Sequence, residues 1–201
     1  MSYDTISAIH DVFAVLALVA LVGAVLMVAA RFIPTVTSVR FLGALHKVQL
    51  PLAALVASTA TLASLWFSEW NSEHWVPCRF CWFQRIFMYS SAVVLVIAAL
   101  RKDRGAKWYV VPLASIGILL SFWHILIEHH VVEESTLCTS ILSCSTPWRV
   151  SFGSIGNDGS PANWHSVTLA VMAFSGFAAI LALLLTPEPL EAEEDGESAA
   201  G

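Results

Sequence analysis

The chain has 201 residues, 57% of them hydrophobic and only 12% charged, with a mean hydropathy of +0.73 and a formal net charge of −5. A soluble domain is nearer half apolar and a quarter charged, so this composition belongs in a bilayer. There is no basic patch with interleaved aromatics of the kind nucleic-acid binding requires.

A spanning helix needs about 20 mostly apolar residues, and five stretches meet or approach that length. Residues 12–30 carry no charge, and residues 48–67 are interrupted only by Gln49 and small hydroxyl side chains. A cleaved signal peptide is the alternative for the first stretch. It lacks a basic n-region and exceeds the usual apolar run of roughly 7 to 15 residues, so it reads as a retained helix. Residues 82–100 carry Gln84 and Arg85 near their start, and residues 108–127 carry His124 near their end. The fifth stretch, residues 167–185, stops at Pro187 and Pro189, where a Glu-rich tail begins. That tail, residues 186–201, is expected to be disordered.

Sorting Lys and Arg by connection gives the orientation. Arg31, Arg40 and Lys47 fall after the first stretch, and Arg101, Lys102, Arg104 and Lys107 after the third. Arg79, Arg85 and Arg149 fall on the other side. The expected topology therefore has an external N-terminus, a cytoplasmic C-terminus and all four cysteines external, where disulfides persist.

Cys78 and Cys81 form a C-x-x-C after Pro77, in the string PCRFCWFQRIFMY, where an external loop enters the third helix. Amide groups at a helix N-terminus, with Arg79 and Arg85 nearby, favour a thiolate and make each sulfur a better leaving group. If the helix has begun by Cys78, spacings of three and seven residues put Cys78, Cys81 and Arg85 on one face. Arg85 is then either a cation for a carbonyl-bearing electron acceptor or a side chain that snorkels to the interface. His124, at a similar depth, either donates to that acceptor or is a satisfied packing residue.

Cys138 and Cys144 form a C-x5-C in the external segment before the last helix. Two local pairs facing one compartment suit thiol–disulfide exchange. Structural disulfides remain an alternative, as does a zinc site of four cysteines, although the spacing matches zinc poorly. Trp148, Val150, Phe152 and Ile155 read as an interfacial stretch, and Gly153, Gly156, Gly159 and Pro161 as a flexible connection. His129, His130, Glu128, Glu133 and Glu134 read as a solvated helix end.

These residues resemble the DsbB/BdbC group of membrane disulfide-bond-forming proteins. PCRFCWFQR is the most specific match, supported by LWFSEW before it, WHILIE on the next helix and a second cysteine pair before the final helix. The close spacing of that pair resembles the BdbC-like branch. The related vitamin K epoxide reductases place their loop cysteines before the C-x-x-C, the reverse of the order here.

The resemblance implies an all-α, polytopic membrane protein with a four-helix transmembrane bundle over residues 48–185. Residues 1–47 would add an N-terminal transmembrane helix and cytoplasmic loop, and residues 186–201 the tail. It further implies a quinone (ubiquinone or menaquinone) as electron acceptor, contacted by Cys81, Arg85 and His124. An extracytoplasmic thioredoxin-like thiol oxidase of the DsbA/BdbD type would be the partner, exchanging with Cys138, while Cys144 connects to Cys78. The rival readings are a non-catalytic membrane protein with stapled external loops and a small transporter. The transporter reading lacks paired intramembrane charges or an inverted repeat.

Overall fold

Every apolar run forms a helix, and the first two helices begin well before the run that predicts them. The structure, a computed structural model, describes residues 3–33, 35–70, 76–134, 138, 143–147, 151–152 and 166–187. In chain order these form α1 (Tyr3–Phe32), α2 (Val36–Leu65) continued by a π-helical turn (Trp66–Trp70), and α3 (Arg79–Arg101). A 3-10 turn (Arg104–Ala106) then leads into α4 (Lys107–Glu128), and α5 (Leu169–Leu184) closes the fold. Among the described residues there is no strand, only an isolated antiparallel bridge between Ser151 and Val167. The protein is all-α. Thr5–Phe32, Val36–Trp70, Arg79–Arg101 and Arg104–Glu128 are long and apolar enough to cross a membrane, and Leu169–Leu184 is a shorter apolar helix.

The segment read as a loop after the first stretch is largely helical, because α2 begins at Val36 and carries Arg40 and Lys47. Thr35 caps it, its Oγ1 accepting from Ser38 N at 3.1 Å, which satisfies one of the amides a helix start leaves open. Hydropathy follows membrane burial and misses such a polar helical extension.

α5 is the central helix, packed on α1, α2 and α4, while α3 packs on α2 and α4. Met88, Leu95, Val110, Phe177, Ile180 and Leu183 fill the main core. Ala53, Ala57, Ala92 and Ala114 sit within it, small enough for neighbouring backbones to approach closely. The Phe177 ring lies directly against Gly117, where a Cβ would overlap it. Val19, Leu62, Val93 and Leu119 point outward and are exposed, the broad apolar exterior of a protein surrounded by lipid.

The two ends of the bundle differ in chemistry. At one end Arg31 Nη1 donates to the Leu185 carbonyl at 3.1 Å, and His46 Nδ1 lies 3.3 Å from the Thr186 carbonyl. Arg104 Nη1 is 3.3 Å from His46 Nε2. Arg31 thus sits at the C-terminus of α5, where the helix dipole favours a cation, and Arg104 joins it through His46. The cysteines occupy the opposite end. There Ser151 Oγ donates to Asp11 Oδ1 at 2.5 Å and lies 2.8 Å from His10 Nδ1, which ties the Ser151–Val167 bridge to α1. Phe152 is described and exposed. Trp148, Val150, Ile155, the connection holding Gly153, Gly156, Gly159 and Pro161, and the tail beyond Pro187 lie outside the described residues.

Candidate functional site

Cys78 is the N-cap of α3, one residue before the helix proper, with φ −65° and ψ 173°. Its sulfur folds back over the first turn and accepts from Cys81 N at 3.2 Å. The two sulfurs lie 2.7 Å apart, and neither is bonded to another cysteine. The expected helical face therefore holds for Cys81 and Arg85, whereas Cys78 joins them by capping. The Cys81 side chain, as hydrogen-bond donor, is the main reason the Cys78 thiol falls from its ordinary value of 9.0 to about 4; burial opposes the shift and His124 reinforces it. Cys78 is thus a thiolate at neutral pH, the form that attacks disulfides.

His124 reaches this sulfur from α4. Gln84 Nε2 lies 3.2 Å from His124 Nδ1, and an amide N–H donating there leaves the imidazole proton on Nε2. Nε2 then faces Cys78 Sγ at 3.7 Å and the Cys144 carbonyl at 3.1 Å. The ring stacks on Phe80, with centroids 5.7 Å apart. One turn on, Glu128 Oε1 is 3.9 Å from His124 Nε2, and Glu128 Oε2 accepts from Thr168 Oγ1 at 2.6 Å.

Glu128 and His129 are buried, which corrects their reading as part of a solvated helix end. Thr168, the N-cap of α5, reaches Glu128, a tertiary contact that local charge density cannot reveal. Glu133 and Glu134 are exposed as expected. After α4, His130 adopts a left-handed conformation with φ 53°, and Val131 N bonds to the Leu126 carbonyl at 2.9 Å. This helix stop turns the chain toward the second cysteine pair.

Cys138 and Cys144 are joined as a disulfide, so the four thiolates of a cysteine zinc site are not available together. Cys144 packs with Cys78, Phe80 and Ile127 in one buried apolar cluster, against which Cys81 and Cys138 also lie. Glu134 holds the segment around Cys144. Its carboxylate accepts from the Cys144 amide, and from Ser143 Oγ at 3.1 Å.

On the membrane side of Cys81, a cavity of about 440 Å³ opens between α1, α2, α3 and α5. Cys81, Arg85 and Ser64 lie on its wall, and most of the remaining lining is apolar, including Phe67, Met88 and Phe177. Arg85 Nε donates to Ser64 Oγ and Nη2 to the Ser64 carbonyl, both at 3.0 Å. Tyr89 OH donates to the same Ser64 Oγ at 3.1 Å. The guanidinium also lies 5.3 Å from the Trp82 ring centroid. Arg85 is thus fixed by α2 with N–H donors to spare. His124 is not among the cavity-lining residues and faces Cys78 instead.

Cys78, Cys81, Cys138, Cys144, Arg85 and His124 all lie at this end of the bundle. Ser64, Tyr89 and Glu134 join them through contacts between distant segments, for which the sequence carries no signal. The π-helical turn at Trp66–Trp70, a feature that often marks functional sites, has no sequence signature beyond the LWFSEW string.

A helical membrane bundle that presents a capped, reactive dithiol beside a second, disulfide-bonded pair is a membrane thiol–disulfide oxidoreductase. The chain belongs to the DsbB family: residues 46–186 match the family described as "Disulfide bond formation protein DsbB". It is 43% identical over 141 residues to a "Probable disulfide formation protein" of Deinococcus radiodurans, covering 69% of this chain and 88% of that protein. It is 31% identical over 150 residues to "Probable disulfide formation protein C 2" of Bacillus cereus, covering 75% and 98%. With the "Disulfide bond formation protein C" of Bacillus subtilis it shares 41% identity over 103 residues, covering 50% and 72%. No solved structure matches.

Proposed function

We propose that the protein reoxidises an extracytoplasmic thioredoxin-like dithiol oxidase of the DsbA/BdbD type and passes the electrons to a membrane quinone, ubiquinone or menaquinone. In this reading residues 48–185 form the oxidoreductase core, residues 1–47 an added helix with the cytoplasmic start of α2, and residues 186–201 an acidic tail. The cysteine end faces the outside, because the basic residues at the other end of the bundle, Arg31, Arg40 and Lys47 where α1 meets α2 and Arg101, Lys102, Arg104 and Lys107 where α3 meets α4, mark the cytoplasmic end.

The observation that carries the reading is the position of the Cys78/Cys81 pair between two environments. Cys81 and Arg85 line the apolar cavity, while Cys78 packs with Cys144 beside His124. Electrons entering at the loop disulfide can leave toward the membrane through adjacent sulfurs.

The cavity suits a quinone: it is largely apolar, and near Cys81 it has a fixed cation able to donate to a carbonyl oxygen. A quinone bound there supplies an acceptor for two electrons and two protons. The partner's dithiol attacks the Cys138–Cys144 disulfide at Cys138, releasing Cys144 as a thiolate. When the partner's second thiol resolves that mixed disulfide, the partner is oxidised and Cys138 and Cys144 are both reduced. Cys144 regains its disulfide with Cys138 by exchange through Cys78 with the oxidised Cys78–Cys81 pair, which is left as a dithiol. Reforming the Cys78–Cys81 disulfide gives up two electrons and two protons, matching what the quinone takes up. Each sulfur transfer proceeds through a mixed disulfide, so thiolate fraction governs its rate. His124 Nε2–H stabilises the Cys78 thiolate, and the Arg85 guanidinium polarises the acceptor.

The test is quinone-dependent oxidation of a reduced thioredoxin-like substrate by purified protein, with each cysteine replaced in turn. Cys81→Ser is expected to abolish quinone reduction. Undiminished turnover in that variant would remove the mechanism.

A further inference from the structure

We infer that α1 builds a subsite for the prenyl tail of the acceptor and a side entrance to it from the lipid. The inference rests on the quinone reading above. The family match begins at residue 46, so α1 lies wholly outside it. Yet Phe13, Leu16, Ala17, Val19 and Ala20 of α1 all line the cavity that contains Cys81 and Arg85. This helix is part of the acceptor site's wall.

The cavity is polar at one depth and apolar at another. Phe13 lies at the level of the π-helical turn, edge-on to Phe67 with centroids 5.8 Å apart, near the depth of Ser64 and Arg85. Ala20 lies seven residues further along α1, a displacement of roughly 10 Å at 1.5 Å per residue. On the facing helices the lining descends in parallel, from Ser64 to Leu55 on α2 and from Cys81 to Met88 on α3. A ring held beside Cys81 and Arg85 therefore has an apolar channel leading away from it into the bundle.

The same residues show where the channel meets the lipid. Leu16, Val19 and Leu55 line the cavity and are also 48%, 63% and 62% exposed. They stand on both sides of the seam between α1 and α2, while α1 packs chiefly on α5. Ala17 and Ala20 leave the inner wall of that seam open. An apolar chain attached to the ring can pass between α1 and α2 into the bilayer without displacing a helix. Four helices alone would leave this side of the ring against lipid, so α1 confers a preference for tailed over tail-less acceptors.

Two measurements on the full-length protein test the inference. In the first, wild-type protein is irradiated with a benzoquinone carrying a photoreactive group on its tail, and the labelled peptides are mapped. Label on residues 13–20 is expected; label confined to α2–α5 or to no protein segment would overturn the inference. In the second, KM values are compared for a long-tailed quinone and for tail-less duroquinone. Ala20→Phe is expected to raise the ratio of tailed to tail-less KM by about tenfold, equivalent to about 1.4 kcal/mol. Ala17→Phe serves if Ala20→Phe does not fold, and Val22→Phe, on the exposed side of α1 away from the cavity, should leave the ratio unchanged. An unchanged ratio in the cavity variants overturns the tail subsite. Failure of wild-type protein to reduce either quinone would instead overturn the proposed function, and the photolabelling pattern separates the two failures.

Discussion

The His124 imidazole faces the Cys78 sulfur at 3.7 Å and reaches the carbonyl of Cys144 with the same nitrogen. One ring therefore touches both redox pairs, and it joins the Cys81 thiol in holding Cys78 as a thiolate. With its pKa lowered to about 4, Cys78 is deprotonated above that pH and takes up its proton only as the pH falls through it. Reduced protein titrated by thiolate absorbance should show a midpoint near 4. That midpoint should rise in His124→Ala and rise further in Cys81→Ala, since Cys81 is the larger cause. A midpoint unmoved in both variants would show that neither neighbour holds the thiolate.

Arg85 is anchored through Ser64, and the anchor can be separated from the charge. Arg85→Ala removes the guanidinium and should raise the quinone KM by about tenfold or more, the scale of a hydrogen bond to a charged group, while leaving the KM for the thioredoxin-like substrate within about twofold. Ser64→Ala removes the hydroxyl acceptor but keeps the backbone carbonyl that Nη2 uses, so its effect should be smaller and in the same direction. An unchanged quinone dependence in Arg85→Ala would make Arg85 an interfacial anchor only.

Much of this architecture was legible because it depends on local sequence. The helices follow the apolar runs, four of them long enough for a bilayer, and the C-x-x-C announces its chemistry by spacing. The placement of Arg85 one turn below Cys81 follows from helical periodicity. The partners of these residues were not legible. Ser64 is one of several small hydroxyl residues in a plain apolar run and gains its role only when α2 packs on α3. Glu128 sits in a charged string that reads as solvated, and it is buried because Thr168, 40 residues later, caps a helix over it. α1 reads as a bare hydrophobic span, and its place in the cavity wall is visible only once α5 positions it.

Gly117 and Phe177 set how closely α4 and α5 approach. A Cβ on Gly117 would overlap the Phe177 ring, which is fully buried and has to shift to admit it. Gly117→Ala should therefore destabilise the protein by about 1–3 kcal/mol, the usual cost of overpacking, read as a lower thermal midpoint in detergent. Pairing it with Phe177→Leu should restore part of the loss, because the smaller side chain makes room for the methyl group. A thermal midpoint equal to wild type in the single variant would mean that the Phe177 ring or the helices give way without cost.

Glu134 reaches the second cysteine pair from outside the bundle. Its carboxylate accepts from the Cys144 amide and from the hydroxyls of Ser143 and Ser145, seating Cys144 in the cluster that contains Cys78. In a protein reduced to two cysteines by Cys81→Ser and Cys138→Ser and supplied with a small-molecule disulfide as oxidant, which is reduced to its two thiols, disulfide formation between Cys78 and Cys144 reports that seating directly. Adding Glu134→Ala should slow the bond's formation by about tenfold, consistent with losing a charge-assisted hydrogen bond. Glu134→Gln keeps one acceptor oxygen and should fall between the two. Alkylation and non-reducing gels resolve the rates, and equal rates in all three proteins would show that the loop seats itself without this carboxylate.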